Sequence, residues 1–266
     1  MAKIIAVANQ KGGVGKTTTA VNLSAALALA DHAVLLVDLD PQGNATSGLG
    51  VDPRSLLRTV YDCLIDGIQA GEVTQPTAIT NLSLLPANAD LAGAEVELVA
   101  VTNREQALKA SLNDIQTAYE FIVIDCPPAL GLLTVNALAA ASSVLVPVQC
   151  EYYAMEGLGR LMETLRRIRG SLNPGLELEG ILLTMFDSRN SLARQVQDEI
   201  RGHFKEKVYR TVIHRNVTLA EAPSYGRPVM LYNAASSGSQ AYLQLGREFL
   251  DHGKEGARER TGRPVA

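Results

Sequence analysis

Cysteines are few in this sequence, and their spacing argues against two kinds of scaffold. The 266 residues include three cysteines, Cys63, Cys126 and Cys150, an odd number without a CxxC pair. A disulfide framework or a zinc site needs paired or clustered cysteines. We therefore expect all three to be small buried residues.

Long apolar runs, runs of like charge and low-complexity segments are also missing. No apolar stretch reaches the roughly 18 residues that a membrane-spanning helix needs. The short apolar run at residues 4–8 leads directly into a glycine-rich loop, which leaves no room for a signal peptide. We expect a cytoplasmic protein without a membrane partner, with a single domain over residues 1–250 and a polar, disordered tail over residues 251–266.

Charge is unevenly distributed along the chain. The formal net charge is −4, which by itself argues against a nucleic-acid partner. Residues 1–150 contain 7 Lys and Arg against 14 Asp and Glu, whereas residues 151–266 contain 17 against 14. An acidic protein with this distribution can still present a local basic surface in its second half.

Short apolar runs alternate with longer segments of helical periodicity, which indicates a parallel sheet covered by helices. The runs are almost continuously Val, Ile and Leu, as is typical of strands buried on both faces. The predicted fold class is α/β, a mostly parallel twisted sheet of about seven to eight strands with helices on both faces. We predict strands near residues 4–8, 34–38, 82–85, 121–125, 144–148, 180–184 and 212–213, and helices over residues 16–29, 89–99, 104–119, 132–141, 156–169, 192–204 and 240–250.

The strongest motif follows the first predicted strand, where NQKGGVGKTTTA leads into a helix. A literal Walker A motif requires Gly where this chain has Gln10, but the core of Gly15, Lys16 and Thr17 is present. Strand, loop, Lys-Thr and helix occur in the required order, which a simple tight turn would not explain. The motif predicts a P-loop NTPase of the deviant Walker A type.

Glycines in this loop let backbone amides approach a polyphosphate, and the helix directs its positive end to the same place. Lys16 is expected to reach the β- and γ-phosphates of ATP, and the Thr17 hydroxyl to bind Mg²⁺. Lys11 is either a solvated surface lysine or a cation that reaches a partner's nucleotide in trans. The predicted nucleotide-binding residues of the loop are Lys11, Gly12, Gly13, Val14, Gly15, Lys16, Thr17 and Thr18.

Two further predicted strands end in carboxylates. Asp38 ends one strand, with Asp40 just beyond it, and Asp125 ends another. Ligands of open α/β sheets bind at the carboxyl ends of strands, so these acids are expected beside the glycine loop. Asp125 is predicted to hold Mg²⁺, Asp38 to support the same metal site from further out, and Asp40 to position the attacking water. Each acid could instead cap a helix or a turn.

Residues 40–50, DPQGNATSGLG, are rich in Gly, Asn, Ser and Thr, and we expect them to form a mobile loop. Beside a γ-phosphate, such a loop can be ordered by ATP and released on hydrolysis. The alternative interpretation is an ordinary surface loop.

Five segments, in order, closely resemble the ParA/Soj family of chromosome and plasmid partition ATPases. They are KGGVGKTTT, VLLVDLDPQGNATSGLG, FIVIDCPPALGLLTVNAL, PVQCEYYAMEGL and VIHRNVTLAEAPSYGRPV, and the resemblance extends from about Lys3 to Leu250. It implies an ATP-dependent sandwich homodimer that binds double-stranded DNA non-specifically on the nucleoid. It also implies a centromere-binding ParB-type partner, which stimulates slow hydrolysis and returns the protein to the monomer.

The resemblance also assigns residues. Lys11 matches the signature lysine of the family, Lys16 the P-loop lysine, Asp40 the hydrolysis aspartate and Asp125 the Walker B acid, so Lys11, Lys16 and Asp40 are the predicted catalytic residues. Arg189 matches an arginine that the family uses on DNA.

This chain departs from the family pattern at two positions. Thr218 replaces a second DNA-contacting arginine, and His214 replaces a proline that lines the base pocket, where Met185 and Asn216 are expected neighbours of the adenine. Arg194 and Arg201 are one heptad apart on a predicted helix, which is either a DNA-binding face or a solvated one. The predicted DNA-binding residues are Arg189, Arg194, Arg201 and Arg215.

Three other classes fit the sequence less well. A membrane-cycling protein that resembles MinD needs a terminal amphipathic helix, but the sequence after Asp251 has almost no large apolar residue. A protein similar to the nitrogenase iron protein needs cysteines that bridge a cluster between subunits, and Cys126 instead follows the Walker B acid. A metabolic P-loop ligase or kinase needs an acceptor site, and residues 40–50 offer none.

Overall fold

Within residues 1–261, which the computed structural model describes, eight strands form one sheet. The strand order is β3-β4-β2-β5-β1-β6-β7-β8, and every pair is parallel except β3 with β4. The predicted fold class is therefore confirmed. The strands are β1 (Lys3–Val7), β2 (Val34–Asp38), β3 (Gln75–Pro76), β4 (Leu82–Leu85), β5 (Phe121–Asp125), β6 (Ser143–Gln149), β7 (Glu177–Phe186) and β8 (Val208–His214).

The central strands are buried on both faces, as their apolar content predicts. In β1, Ile5 and Val7 belong to one hydrophobic cluster, whereas Ile4 and Ala6 belong to a second one on the opposite face. All four side chains are at most 5% exposed. This double burial requires helices on both sides of the sheet.

Two groups of helices provide that cover. The cluster around Ile5 is covered by α1 (Lys16–Leu29), α2 (Asn44–Gly48), α10 (Val217–Glu221), α11 (Val229–Tyr232) and α12 (Ser237–Thr261). The cluster around Ile4 is covered by α3 (Val60–Ile65), α4 (Ala70–Val73), α5 (Leu91–Glu97), α6 (Ala107–Ser111), α7 (Leu132–Ala140), α8 (Ala154–Ser171) and α9 (Ser191–Phe204). No helix within the described residues is long and apolar enough to cross a bilayer.

Parallel register brings the functional loops to one edge of the sheet. Asp125 at the end of β5 pairs with Val7 at the end of β1 and with Asp38 at the end of β2. The loops that follow these three strands therefore begin side by side.

The helix predicted over residues 104–119 is wrong in its extent. The chain forms a 3₁₀ turn at Arg104–Gln106 and the short helix α6, followed by turns. A continuous helix would bond the Leu108 amide to the Arg104 carbonyl. The Asn136 side chain inserts between them, because its Oδ1 accepts from the Leu108 amide at 3.1 Å and its Nδ2 donates to the Arg104 carbonyl at 2.7 Å.

Helix α12 extends into the predicted tail. It continues to Thr261, eleven residues beyond its predicted end, so residues 251–261 are helical. They include one Lys, one Ala, two Glu and two Arg, which favour helix, and no proline. The remainder of the predicted tail, residues 262–266, lies outside the described residues, and the single domain over residues 1–250 stays a prediction.

Gly180 in β7 tests how tightly the sheet packs. A methyl group there would lie 2.6 Å from the ring of the fully buried Tyr209. We expect Gly180→Ala to lower the free energy of unfolding by about 1–3 kcal/mol through overpacking, as measured by urea denaturation. Gly159→Ala, in helix α8 with open space around it, is the control and should be neutral or stabilising. Equal midpoints for the two variants would contradict the packing at Tyr209.

Candidate nucleotide-binding site

The loop between β1 and α1 has the backbone geometry of a phosphate cradle. Gly13 and Gly15 have φ values of 71° and 87°, a left-handed conformation that favours glycine. Gly15 precedes α1, and no side chain caps the helix or places an acid in its first turn. The first amides of α1 are therefore available to an anion.

Contacts from other elements hold this loop in place. The Thr184 hydroxyl at the end of β7 donates to the Val14 carbonyl at 2.8 Å, and the Asn9 side chain donates to the Pro147 carbonyl at 2.7 Å. Thr184 was not identified from the sequence, because its contact joins positions 170 residues apart. The cradle is thus preorganised by the sheet.

Lys16 is a buried cation within the cradle. Its side chain donates to the Lys11 carbonyl at 3.1 Å, and the residue is 6% exposed. Burial lowers the pKa of Lys16, and the nearby carboxylates of Asp125 and Asp40 oppose that shift. A phosphate bound in the loop would supply the anionic partner that this cation needs.

Asp125 is the residue of the site that most clearly fits a bound cation. The residue is fully buried, and neither carboxylate oxygen has a hydrogen-bond partner among the described residues. Burial, reinforced by the charge of Asp38, raises its pKa well above the usual range. The Thr17 hydroxyl is close enough to oppose this shift but not in the geometry of a hydrogen bond. Carboxylate and hydroxyl oxygens are the ligands that Mg²⁺ prefers.

The protein supplies only part of a metal coordination sphere here. No cluster of three or more His, Cys, Asp or Glu side chains in the described part of the chain is arranged to bind a metal. Mg²⁺ in nucleotide sites typically takes one or two protein ligands and completes its shell with phosphate and water oxygens. Thr17 and Asp125 therefore fit a metal that arrives with a nucleotide.

Both carboxylate oxygens of Asp38, in contrast, accept hydrogen bonds from the protein itself. Its Oδ2 accepts from the Thr46 amide at 2.8 Å and the Thr46 hydroxyl at 2.7 Å, and its Oδ1 accepts from the Asp40 amide at 3.2 Å. Burial raises the pKa of Asp38 to about 6, against the hydrogen bonds from Thr46. These contacts favour the capping alternative, and a role for Asp38 in the Mg²⁺ site stays a prediction.

Residues 40–50 form a turn and helix α2. Asp40 is 8% exposed and begins the turn, with its carbonyl accepting from the Gly43 amide at 2.9 Å and its Oδ1 from the Gln42 amide at 3.0 Å. At the other end of this segment, the backbone of Gly50 packs directly against that of Gly226, because a methyl group on Gly226 would lie 2.6 Å from the Gly50 Cα. Whether nucleotide changes this loop stays a prediction.

A cleft of about 680 Å³ continues from the glycine loop past Asp40 toward the ends of β7 and β8. Met185 lines it with a left-handed φ of 47°, a strained backbone for a bulky residue. Asn216 also lines it, but its Oδ1 caps helix α10 and its Nδ2 donates to the Ser237 hydroxyl at 2.8 Å. His214 lies in the same wall with its ring edge-on to Phe186. The structure thus brings all the residues predicted near the base to one cleft.

Lys11 lies at the exposed rim of the glycine loop. Its side chain is 48% exposed and forms an ion pair with the equally accessible Glu151. The sequence did not point to Glu151, which follows β6 140 residues later. The Lys11 side chain therefore lies outside the hydrophobic core. Both a solvated surface lysine and a cation that reaches a partner's nucleotide require this position.

The four predicted DNA-binding arginines differ in how the protein uses them. Arg194 and Arg215 are exposed, and Arg189 is exposed but paired with Asp187. Arg201 is half-buried and donates to the Tyr209 carbonyl at 3.1 Å. Its guanidinium thus helps to hold helix α9 to strand β8, so Arg201 is less available to DNA than its spacing from Arg194 predicts.

All three cysteines are free and buried, which confirms the expectation from their spacing. Burial is the main cause that raises the pKa of each thiol, to about 12 for Cys63 and about 11 for Cys150. They are therefore unreactive side chains.

This fold and this site define a P-loop ATPase. The family described as AAA domain matches residues 2–178. The chromosome partitioning protein ParA of Myxococcus xanthus is 54% identical over 93% of this chain and 88% of its own. The sporulation initiation inhibitor protein Soj of Bacillus subtilis is 53% identical over 95% of this chain and 100% of its own. The chain belongs to the ParA/Soj family.

Solved structures agree with this fold. One described as cobyrinic acid a,c-diamide synthase from Mycobacterium smegmatis, with bound ADP and magnesium, has a TM-score of 0.84 and 39% identity over 96% of this chain and 97% of its own. The septum site-determining protein MinD of Pyrococcus horikoshii, complexed with Mg-ADP, has a TM-score of 0.77 and 26% identity over 93% of this chain and 96% of its own.

The two buried carboxylates give opposite expectations for stability. Asp125→Asn removes a buried carboxyl that has no hydrogen-bond partner among the described residues, so we expect the free energy of unfolding without nucleotide to rise by about 0.5–2 kcal/mol. Asp38→Asn places an amide donor among three donors and should lower it by about 1–3 kcal/mol. Urea denaturation at neutral pH measures both. Equal destabilisation by the two substitutions would show that Asp125 has a partner.

Proposed function

We propose that this protein is an ATP- and Mg²⁺-dependent partitioning ATPase. ATP binding drives formation of a sandwich homodimer that binds double-stranded DNA non-specifically, and slow hydrolysis to ADP and phosphate, stimulated by a ParB-type partner, releases the DNA. The observation that most supports the ATPase is the unpartnered, buried Asp125 beside Lys16 and the open amides of α1. The partitioning role is supported by relatives at 53–54% identity.

Different residues of the chain bind the nucleotide and promote its hydrolysis. The glycine-loop amides and Lys16 bind the phosphates, and Thr17 and Asp125 hold Mg²⁺. When bound, Mg²⁺ neutralises charge on the phosphate oxygens. Asp40 accepts a hydrogen bond from the attacking water and orients it, and Thr184 keeps the loop in position from β7.

Lys11 completes the site across the dimer. Its ion pair with Glu151 is exposed on both sides, and exposed pairs of this kind contribute little free energy. Lys11 can therefore exchange Glu151 for a phosphate of the partner's nucleotide at little cost. This trans contact would make dimerisation depend on ATP.

The DNA surface is formed by Arg189, Arg194 and Arg215. All three are exposed, and none of them has a buried partner among the residues that the structure describes. Contacts from such arginines go to backbone phosphates, so binding is independent of sequence and weakens steeply with salt. Arg201 contributes less directly because it bonds to the Tyr209 carbonyl.

A second candidate function is ATP-dependent amide synthesis, which is suggested by the name of the Mycobacterium smegmatis neighbour. A ligase consumes ATP as it joins an acid to a nitrogen donor, so its ATP turnover matches product formation. A partitioning ATPase hydrolyses ATP slowly and responds to DNA and its partner protein. Coupled product analysis with cobyrinic acid and glutamine separates the two. Product formation would replace the partitioning proposal.

Asp40 and Lys11 separate dimerisation from hydrolysis. With Asp40→Ala, ATP binding persists, hydrolysis falls about 100-fold or more, and an ATP-bound dimer accumulates, because the attacking water is no longer oriented. With Lys11→Ala, ATP still binds but the protein stays monomeric. Calorimetry measures binding, and light scattering with ATP measures mass. A monomeric Asp40→Ala variant would contradict the role given to Asp40.

DNA binding tests the proposal as a whole. Retention on non-specific duplex DNA is compared without nucleotide, with ADP, with ATP and with a slowly hydrolysed analogue, at two salt concentrations. We expect binding only with ATP or the analogue, and a loss of at least about tenfold in affinity for Arg189→Glu. Arg160→Glu, on the exposed face of helix α8, is the control because it changes the net charge by the same amount as Arg189→Glu. Its affinity for DNA should be closer to that of the wild type. No binding in any nucleotide state would refute the DNA role.

A further inference from the structure

The turn after strand β7 places a carboxylate directly on one of the proposed DNA-binding arginines. The two oxygens of Asp187 accept from the Nε of Arg189 at 2.9 Å and from its Nη2 at 2.8 Å. This fork of guanidinium donors is the one that binds a phosphate bidentately. Asp187 and a DNA phosphate therefore require the same face of Arg189.

Asp187 also acts on a second arginine of the surface. The hydrogen bonds from Arg189 are the main cause that lowers the pKa of Asp187, and the charge of Arg215 lowers it further, so this carboxylate is ionised at neutral pH. The Arg215 amide donates to the Phe186 carbonyl at 3.2 Å, which fixes Arg215 beside the turn. One negative charge thus acts on two neighbouring positive charges of the proposed DNA surface.

Accessibility makes the exchange of partners feasible. The side chain of Arg189 is 89% exposed, whereas that of Asp187 is 34% exposed and is held at the base of the turn, where it also accepts from the Arg189 amide at 3.0 Å. A phosphate can approach the guanidinium from solvent. It must then displace a carboxylate that is already in place.

We propose that Asp187 is an internal competitor of DNA, which occupies Arg189 and limits the affinity of the surface for duplex phosphates. This inference rests on the proposed DNA binding. It adds a residue that sets how tightly the dimer holds DNA, and therefore how readily DNA is released when the dimer dissociates.

The chain contains a matched control for this contact. Asp52 and Arg54 repeat the same spacing and geometry, with the Arg54 amide and Nε donating to Asp52 Oδ1 at 3.1 Å and Nη2 donating to Oδ2 at 3.3 Å. Arg54 is 91% exposed, like Arg189. Asp52→Asn therefore makes the same change of net charge at an equivalent Asp–Arg contact, on an element that carries none of the proposed DNA-binding arginines.

The experiment compares wild type, Asp187→Asn and Asp52→Asn for binding to non-specific duplex DNA, with the slowly hydrolysed ATP analogue and a series of salt concentrations. Asparagine keeps an oxygen for the Arg189 amide, so the turn is retained. We expect Asp187→Asn to bind about 3- to 10-fold more tightly and to steepen the slope of log K against log salt by about one. Asp52→Asn should change neither quantity.

Two further variants assign the gain to Arg189. Relative to Arg189→Ala alone, the double variant Asp187→Asn/Arg189→Ala should retain only a small part of the gain, because the carboxylate acts mainly through that guanidinium and more weakly on Arg215. Affinity equal to that of Asp52→Asn, or a weaker affinity for Asp187→Asn, would overturn the inference, the latter by showing that Asp187 positions Arg189 for DNA. Absence of DNA binding by the wild type would instead refute the proposed function itself.

Discussion

The in-register parallel pairing of β5 with β1 and β2 is the constraint on which the rest of the site depends. It places the end of β5 beside the ends of both neighbours, so that two carboxylates and a glycine loop emerge at one edge of the buried central strands. The strands are apolar on both faces and cannot shift register without exposing their side chains or separating these ends. The position of the site is thus a consequence of strand pairing in the core.

Two adjacent buried carboxylates at this edge differ in the number of hydrogen bonds that they accept. Asp38 accepts three hydrogen bonds and ties helix α2 to the sheet, whereas Asp125 accepts none in the described structure. A buried carboxyl without hydrogen bonds opposes folding, and a bound cation can compensate for this cost. The cost at Asp125 is the physical reason that nucleotide and metal belong together at this site.

Single side chains from distant parts of the chain complete the edge. Thr184 fixes the glycine loop from β7, and Gly226 allows residues 40–50 to pack against the segment that follows helix α10. The end of β8 and the residues that lead into helix α10 supply Arg215 and part of the wall of the cleft. The nucleotide site and the proposed DNA surface therefore share the ends of β7 and β8, and Asp187 lies where they meet.

The sequence by itself determined the α/β class, most strand positions, the glycine loop and the acids at the strand ends. These features follow from local causes: apolar runs that must be buried, glycines that allow left-handed φ, and the order of strand, loop and helix. Tertiary structure alone decided which acid stays unpartnered, that Asn136 interrupts the helix predicted over residues 104–119, and that Arg201 bonds to β8 while Arg194 stays exposed. Each of these outcomes depends on which groups meet in space. A hydrogen bond satisfied by a residue far along the chain leaves no periodicity or composition by which the sequence could reveal it.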